Sequence, residues 1–262
     1  MKVMTFNLRV DIPEDGKNSW VHRRKKAAAM INKHRPLVVG TQEGLLRMIE
    51  DMEEEFADYR WIGQGRRGGM SDEFCAIFYE HNELEVLESE QFWLSEQPDI
   101  PNSISWESDF PRVCTWGHFR FKKEPYNDFI HFNTHLDHIS PPAREHGIQL
   151  ISKRLDEQYR KKELPVILTG DFNSEPHDPA IRFLRGDISL LGSTAKLNDA
   201  FEKMDENPGC TFHNFKGGRE GAPIDYIFTT PEVQVLKTEI DRSQVDGAYA
   251  SDHYPVISTL KW

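Results

Sequence analysis

The chain is 262 residues long, 38% hydrophobic and 29% charged. That is apolar enough for a buried core and too apolar for a disordered polyelectrolyte. Its formal net charge of −11 argues against a surface built to wrap nucleic acid, which needs a basic stripe, but leaves room for an anionic substrate at a locally neutralised site.

Lys2 to Leu8 alternates in β fashion, with Val3, Thr5 and Asn7 on one side and Met4, Phe6 and Leu8 on the other. Ser19 is a candidate N-cap for a helix to His34; Ala27, Met30, Ile31 and His34 recur at helical spacing, and Pro36 stops it. Leu37-Val38-Val39-Gly40 has the apolar run of a strand buried on both faces. A helix over Leu45–Phe56 follows, then strand patterns at Tyr59–Ile62, Phe74–Tyr79, Leu84–Leu87, Val113–Phe121 and Phe129–Thr134. Ser140-Pro141 opens a third helix, with Ile148, Ile151, Leu155 and Tyr159 as its apolar stripe. Pro165–Thr169 is another short buried strand. Short helices are expected at Pro179–Leu184 and Leu197–Met204, and strands at Ile224–Phe228, Val233–Glu239 and Val256–Leu260.

The pattern has about ten strands, few helices, no repeat and no linker-like run. It predicts one domain over residues 1–262, with two sheets face to face and helices outside. Apolar runs such as Val166-Ile167-Leu168 fall far short of the ~20 residues that span a bilayer, and Met1 leads straight into a strand. Neither a membrane span nor an ordinary signal peptide is expected. Cys75, Cys114 and Cys210, an odd number with no C-x-x-C pair, suit a reducing cytoplasm rather than a disulfide framework or a cysteine zinc site.

Hard oxygen and imidazole groups gather at the predicted strand ends. Asn7 is near the end of the first strand and Gln42-Glu43 ends the second. Thr134-His135-Leu136-Asp137-His138 ends another, Gly170-Asp171-Phe172-Asn173 follows Pro165–Thr169, and Ser251-Asp252-His253 precedes the last. Taken singly, each has a plain structural reading: a turn with local side-chain bonds, a helix-start acid, a surface loop. Asp225, within an apolar strand, needs a partner.

Attack of water on phosphorus needs such a set. A hard divalent cation prefers carboxylate and amide oxygen, which suits Glu43, Asp252 and Asn7. Asp171 is the candidate base for the water. Asn173, two residues on along an extended segment, would project to the same side and orient that water or donate to phosphate. Asp225 beside His253 would keep the imidazole protonated, and Glu73 would do the same for His135.

On TFN at 5–7, QE at 42–43, THLDH at 134–138, GDFN at 170–173, IDYIF at 224–228 and SDH at 251–253, the chain resembles the endonuclease/exonuclease/phosphatase superfamily over nearly its whole length. The FWLSE segment at 92–96 is similar to that of its small bacterial branch. The resemblance implies an α/β fold, a four-layer α/β/β/α sandwich of two mixed, mainly antiparallel sheets with outer helices. It implies a principal metal carboxylate at Glu43, with Asn7 and Asp252 beside it, for Mg²⁺ or Mn²⁺. It further implies a water-activating Asp171, a phosphate-binding Asn173, and His253 on the scissile phosphate, oriented by Asp225. His135 and Glu73 match the second histidine and its acidic partner in pancreatic-nuclease-like and deadenylase-like members, and Arg112 resembles a phosphate-contacting arginine. Arg9 stands where some repair nucleases place an acid, which argues against a second metal on that side.

The expectation is a divalent-metal-dependent phosphoesterase acting on a phosphodiester of modest size, since no basic insertion for gripping a duplex is present. Its partner would be an anionic phosphate ester, with short nucleic acid as a further case and no partner protein. The alternatives are a nuclease or deadenylase on single-stranded nucleic acid, a sugar or inositol phosphomonoesterase, and a non-catalytic binding module on the same scaffold. The Arg66-Arg67-Gly68-Gly69 loop and the His22–Lys26 basic run read as a solvated loop and helix face, with contact to an anionic ligand as the alternative for both. Phe212-His213 reads equally as a pocket lip or as packing aromatics, and Trp20, Trp106 and Phe212 are the candidate base-stacking aromatics.

Overall fold

The computed structural model describes residues 1–204 and 206–262. Among these residues, twelve strands form two mixed six-stranded sheets. The first sheet contains β1 (Lys2–Asn7), β2 (Val38–Gln42), β3 (Tyr59–Ile62), β4 (Ile77–Glu80), β11 (Gln234–Ile240) and β12 (Val256–Lys261), in the order β11-β12-β1-β2-β4-β3. The second contains β5 (Leu84–Trp93), β6 (Val113–Phe121), β7 (Glu124–His135), β8 (Val166–Asp171), β9 (Asn198–Asp199) and β10 (Asp225–Thr229), in the order β5-β6-β7-β8-β10-β9. The parallel pairs β1–β2 and β7–β8 are joined through α1 (Trp20–His34) and α3 (Pro141–Lys162), as a parallel pair requires a crossover.

The alternation in β1 separates two environments. Met4, Phe6 and Leu8 share a cluster with Ala27, Met30 and Ile31 of α1 and with Met48, Ile49 and Met52 of α2 (Leu46–Glu55), while Val3 belongs to the larger core. That core also takes Ile148, Ile151 and Leu155 from α3 and Ile181, Phe183 and Leu184 from α4 (Pro179–Arg185). The Ser140 hydroxyl accepts from the Ala143 amide at the α3 N-terminus, with proline in the first turn, a cap worth about 1 kcal/mol. Tyr159, expected in the apolar stripe of α3, is 36% exposed, so the buried face ends at Leu155.

The two sheets share an apolar core that includes Val3, Val38 and Ile77 of the first and Phe119, Phe129 and Phe228 of the second, and a polar group is set between them. Asn133 on β7 donates to the carbonyls of Thr41 (2.9 Å) and Ala76 (3.0 Å), and accepts from Gln42 Nε2 (2.8 Å) and Thr169 Oγ1 (3.1 Å). A Cβ on Gly40 would stand 2.2 Å from Thr169 Oγ1 and 2.4 Å from Asn133 Oδ1, so a side chain there would force the sheets apart.

Three expectations about these elements need correction. The strand expected from Phe74 starts at Ile77, because Phe74 makes only isolated bridges to Gly44 and Gly65. The strand from Leu84 runs on to Trp93 through a register shift at Val86/Glu88, across the polar run Glu88-Ser89-Glu90-Gln91, which carries no alternation to read. Leu197–Met204 is not one helix: Asn198–Asp199 adds a short strand before a 3₁₀ turn at Ala200–Lys203. A 3₁₀ segment at Pro13–Asn18 precedes α1. Among the described residues, no helix is long and apolar enough to cross a membrane.

Candidate active site

Strand register sets the floor of the site. In the second sheet His135 lies opposite Asp171, and Asp171 opposite Asp225, so β7, β8 and β10 present three titratable groups in a row. In the first sheet Asn7 ends β1 and pairs with Gln42 at the end of β2, which delivers Glu43 next. Asp252 and His253 arrive just ahead of β12. The Ser251 hydroxyl donates to the Asn7 carbonyl at 2.7 Å and fixes that approach.

Glu43, His135, Asp171, Asp252 and His253 line one cleft of about 280 Å³, and Asn7 and Asp225 bond to them from behind. Asn7 Nδ2 bridges the sheets, donating to Glu43 Oε1 at 2.8 Å and to Asp171 Oδ2 at 3.0 Å. Its Oδ1 accepts from the Arg9 amide at 2.9 Å, and the Val10 amide donates to Glu43 Oε2 at 2.8 Å. His253 Nδ1 lies 2.8 Å from Asp225 Oδ2, and its Nε2 lies 3.8 Å from Asp171 Oδ2. His135 Nε2 approaches the same Asp171 oxygen at 3.5 Å. Asp171 Oδ1 accepts from the Asn173 amide at 2.9 Å, and Asn173 Nδ2 donates to the Leu136 carbonyl at 2.9 Å.

Asn173 is not on an extended segment, as the sequence reading supposed. Its φ is 45°, so the chain turns there and its side chain reaches the cleft from the turn. Arg9 (φ 57°) and Glu43 (φ 62°) are also left-handed. Such backbone strain in non-glycine residues gathers at functional sites.

Charge states follow from burial and neighbours. Burial, then the nearby Asp225, pushes Asp171 up to about 7. Burial opposes a charge on His253, but Asp225, Asp171 and Asp252 outweigh it and hold the imidazolium well above the usual histidine range. His135 goes the other way: burial, with Arg112 and His253 adding to it, keeps it neutral.

Glu73 is not the acidic partner of His135. Its carboxylate takes the Arg66 guanidinium, Nη2 to Oε1 at 2.9 Å and Nη1 to Oε2 at 3.0 Å. Burial pushes Glu73 up to about 7 in spite of that pair.

Glu43, Asp171 and His253 offer ligand atoms all within 4.8 Å of one another. Protonated, His253 has no lone pair to give, and Asp171, pushed up to about 7, is only partly ionised at neutral pH, which leaves Glu43 as the carboxylate ligand of the three. Asp252, raised by burial, lines the same cleft, 3.7 Å from Arg9 Nε. Hard oxygen donors of this kind fit a cation such as Mg²⁺ or Mn²⁺.

Other residues in or behind the cleft are not among the site residues expected from the sequence. Arg66 is buried against Glu73 rather than solvated, and only the chemistry of a later acid could have hinted at it. Arg23, in the basic run of α1, is 1% exposed and donates to the carbonyls of Leu8, Arg9 and Ala250, fixing the strand ends that carry Asn7 and Asp252. Phe110 and His138 line the mouth with Arg112. Phe212 is an exposed lip, its ring 5.1 Å from His253, whereas His213 packs on Tyr254 at 3.8 Å. Trp20 is buried in the α1–α2 cluster and Trp106 stacks on His146, both outside the cleft. A hollow of about 670 Å³ between α3 and the 193–197 segment contains none of the converging groups.

The sequence model of the Endonuclease/Exonuclease/phosphatase family matches residues 4–253. The fold is similar to that of a mannosyl-6-phosphatase from Bacteroides thetaiotaomicron VPI-5482, with 34% identity and a TM-score of 0.91 over 100% of both chains. A conserved protein of unknown function from Enterococcus faecalis V583 is 29% identical, with a TM-score of 0.89 over 100% of this chain and 99% of that one. In sequence, Protein angel of Drosophila melanogaster is 30% identical over 168 residues, 62% of this chain and 44% of its own. Nocturnin of the same organism is 25% identical over 219 residues, 70% of this chain and 32% of its own. The chain thus spans less than half the length of these two relatives.

Proposed function

Because the chain belongs to the endonuclease/exonuclease/phosphatase family, we propose that it is a divalent-metal-dependent phosphomonoesterase acting on the phosphate of a small alcohol, with a sugar phosphate as the leading case. The family's hydrolases act on phosphoesters, and that much holds for this chain. The observation that carries the finer reading is the end-to-end likeness, at 34% identity, to a protein described as a mannosyl-6-phosphatase. Two features of the cleft support it. At about 280 Å³, it is just below the ~300–1,000 Å³ typical of small-ligand pockets, which suits a small ester. Arg9, Arg66, Arg112 and the His253 imidazolium line it beside the carboxylates of Glu43, Glu73, Asp171 and Asp252, so it offers donors to several phosphoryl oxygens at once.

Asp171 takes the proton of the attacking water as the new P–O bond forms and the bond to the alcohol oxygen breaks, the alcohol leaving with a proton from solvent. A base held near pH 7 is matched to this task. His253, charged and oriented by Asp225, donates Nε2–H to a phosphoryl oxygen, and Asn173 and Arg112 position the phosphate. Glu43, with Asn7 and Asp252 at its side, would hold the cation, whose presence neutralises charge on the phosphoryl and leaving oxygens. A cytoplasmic location belongs to the same reading.

A second reading, diester hydrolysis on short single-stranded nucleic acid, rests on Phe212, an exposed aromatic beside His253 on which a base could stack. A screen of hexose phosphates, aryl diesters and short oligonucleotides with Mg²⁺ or Mn²⁺ separates the two. Faster turnover of monoesters is expected. Exclusive cleavage of diesters, or of oligonucleotides with steep salt dependence, overturns the proposal, as does full activity in excess chelator.

A further inference from the structure

Resting on the monoesterase reading, we infer that the rim formed by Asp109, Phe110 and His138 reads a hydroxyl group of the leaving alcohol, and so selects a polyhydroxylated, sugar-like substrate over an apolar one. The rim is built on a buried carboxylate. Asp137 is 1% exposed. Its Oδ1 accepts from the amides of Ile139 (2.9 Å) and Ser140 (2.7 Å), and its Oδ2 from Ser108 Oγ and the Asp109 amide (both 3.1 Å). Arg112 Nε lies 3.4 Å from the same Oδ2. The Ser140 hydroxyl ties the loop down a second time, donating to the Trp106 carbonyl at 2.7 Å. The loop is therefore positioned before any ligand arrives, which lowers the ordering cost of binding.

The chemistry of the rim follows from one hydrogen bond. Arg112 Nη2 lies 3.0 Å from His138 Nδ1. A guanidinium can only donate, so Nδ1 accepts and the ring hydrogen sits on Nε2. That Nε2 is 4.0 Å from Asp109 Oδ2, and the two side chains are 46% and 44% exposed. The gap is too long for a direct hydrogen bond. It suits one hydroxyl oxygen about 2.8 Å from each atom, accepting from Nε2–H and donating to the carboxylate. The Phe110 ring, nearly parallel to the imidazole (16°, centroids 6.2 Å apart) and braced by Arg66 at 4.4 Å, adds an apolar surface of the kind that packs against the C–H face of a sugar ring. Arg112 belongs at once to the phosphate cleft and to this rim, so the hydroxyl is read one group away from the phosphate. A ligand without hydroxyls would displace water from the gap between Asp109 and His138 without replacing its hydrogen bonds, a partial loss because both side chains stay half-exposed.

The test uses the full chain with Mg²⁺ and compares kcat/KM for mannose 6-phosphate with that for cyclohexylmethyl phosphate, a ring ester without hydroxyls. Wild type is expected to prefer the hexose ester. In Asp109→Ala and in His138→Ala, the ratio of the two specificity constants is expected to fall about tenfold or more, mainly through KM for the hexose ester. A wild type that cleaves both esters without preference, or variants that keep the wild-type ratio, overturns the inference and leaves the monoesterase reading standing. A wild type that cleaves bis(p-nitrophenyl) phosphate but neither monoester overturns both.

Discussion

Asp171 lies between two histidines of opposite charge state, and that asymmetry sets its pH behaviour. Burial and Asp225 raise its carboxyl to about 7, so the form able to accept a proton gains population as pH rises through neutrality. His253 is held charged well above its usual range, so its donor form persists until pH passes that raised value, while His135 stays neutral throughout. The kcat/KM profile is expected to be a bell, with an acid limb near pH 7 and an alkaline limb above it. Asp225→Asn removes the negative charge beside Nδ1, and both limbs are expected to move down, the alkaline one toward the ordinary histidine value near 6.5 and the acid one because Asp171 loses the push of Asp225; an unmoved alkaline limb would take the proton donor away from His253. Asp171→Ala is expected to cost about 10²–10⁴-fold in kcat with an unchanged circular dichroism spectrum. The sequence carried these groups as motifs, because strand ends in a fixed order bring them together whatever the loops do. It hid Arg66 and Arg23, since a basic residue beside glycine or in a charged helix run looks the same whether it is solvated or buried.

At the scale of elements, the turn between β7 and α3 does most of the positioning. Ser140 and Pro141 were legible as a helix start because capping is local chemistry. Asp137, three residues ahead, was legible only as part of a motif, because its partners at 108, 109 and 112 are distant in the chain. Asp137→Ala leaves the Ile139 and Ser140 amides without their acceptor and Arg112 without its carboxylate. A loss of about 2–4 kcal/mol is expected in urea unfolding, with a raised KM for any phosphate ester; a variant as stable as wild type would show that the loop holds itself. The length of β5 was illegible for the opposite reason: main-chain pairing with β6 sustains it through a polar stretch, and pairing leaves no trace in side-chain alternation. The turn at Asn173 was misjudged because nothing in a short polar segment announces a left-handed φ.

Over the whole molecule, the hydrogen-bonded seam around Asn133 decides how the sheets sit on each other. Gly40→Ala would press a methyl group into Thr169 and Asn133. It is expected to destabilise the fold by about 3 kcal/mol, at the upper end of overpacking costs, and to depress turnover although Gly40 touches no substrate; thermal melts and initial rates measure the two effects. Mg²⁺ at a hundred times its dissociation constant is expected to raise Tm by on the order of 5 °C. The rise should be larger at pH 8 than at pH 5, because protons compete for the same carboxylates; no shift at either pH would remove the cation from this cleft. The layered architecture could be read from strand count and patterning, whereas the polar seam could not, because Asn133, Gln42 and Thr169 are ordinary strand residues until the sheets meet. Asn7, Glu43, Asp252 and His253 hang from one slab, and His135, Asp171, Asn173 and Asp225 from the other. Turnover by the proposed hydrolysis is therefore expected to gauge the seating of slab on slab, and gentle heating should abolish it while far-ultraviolet spectra still register intact strands.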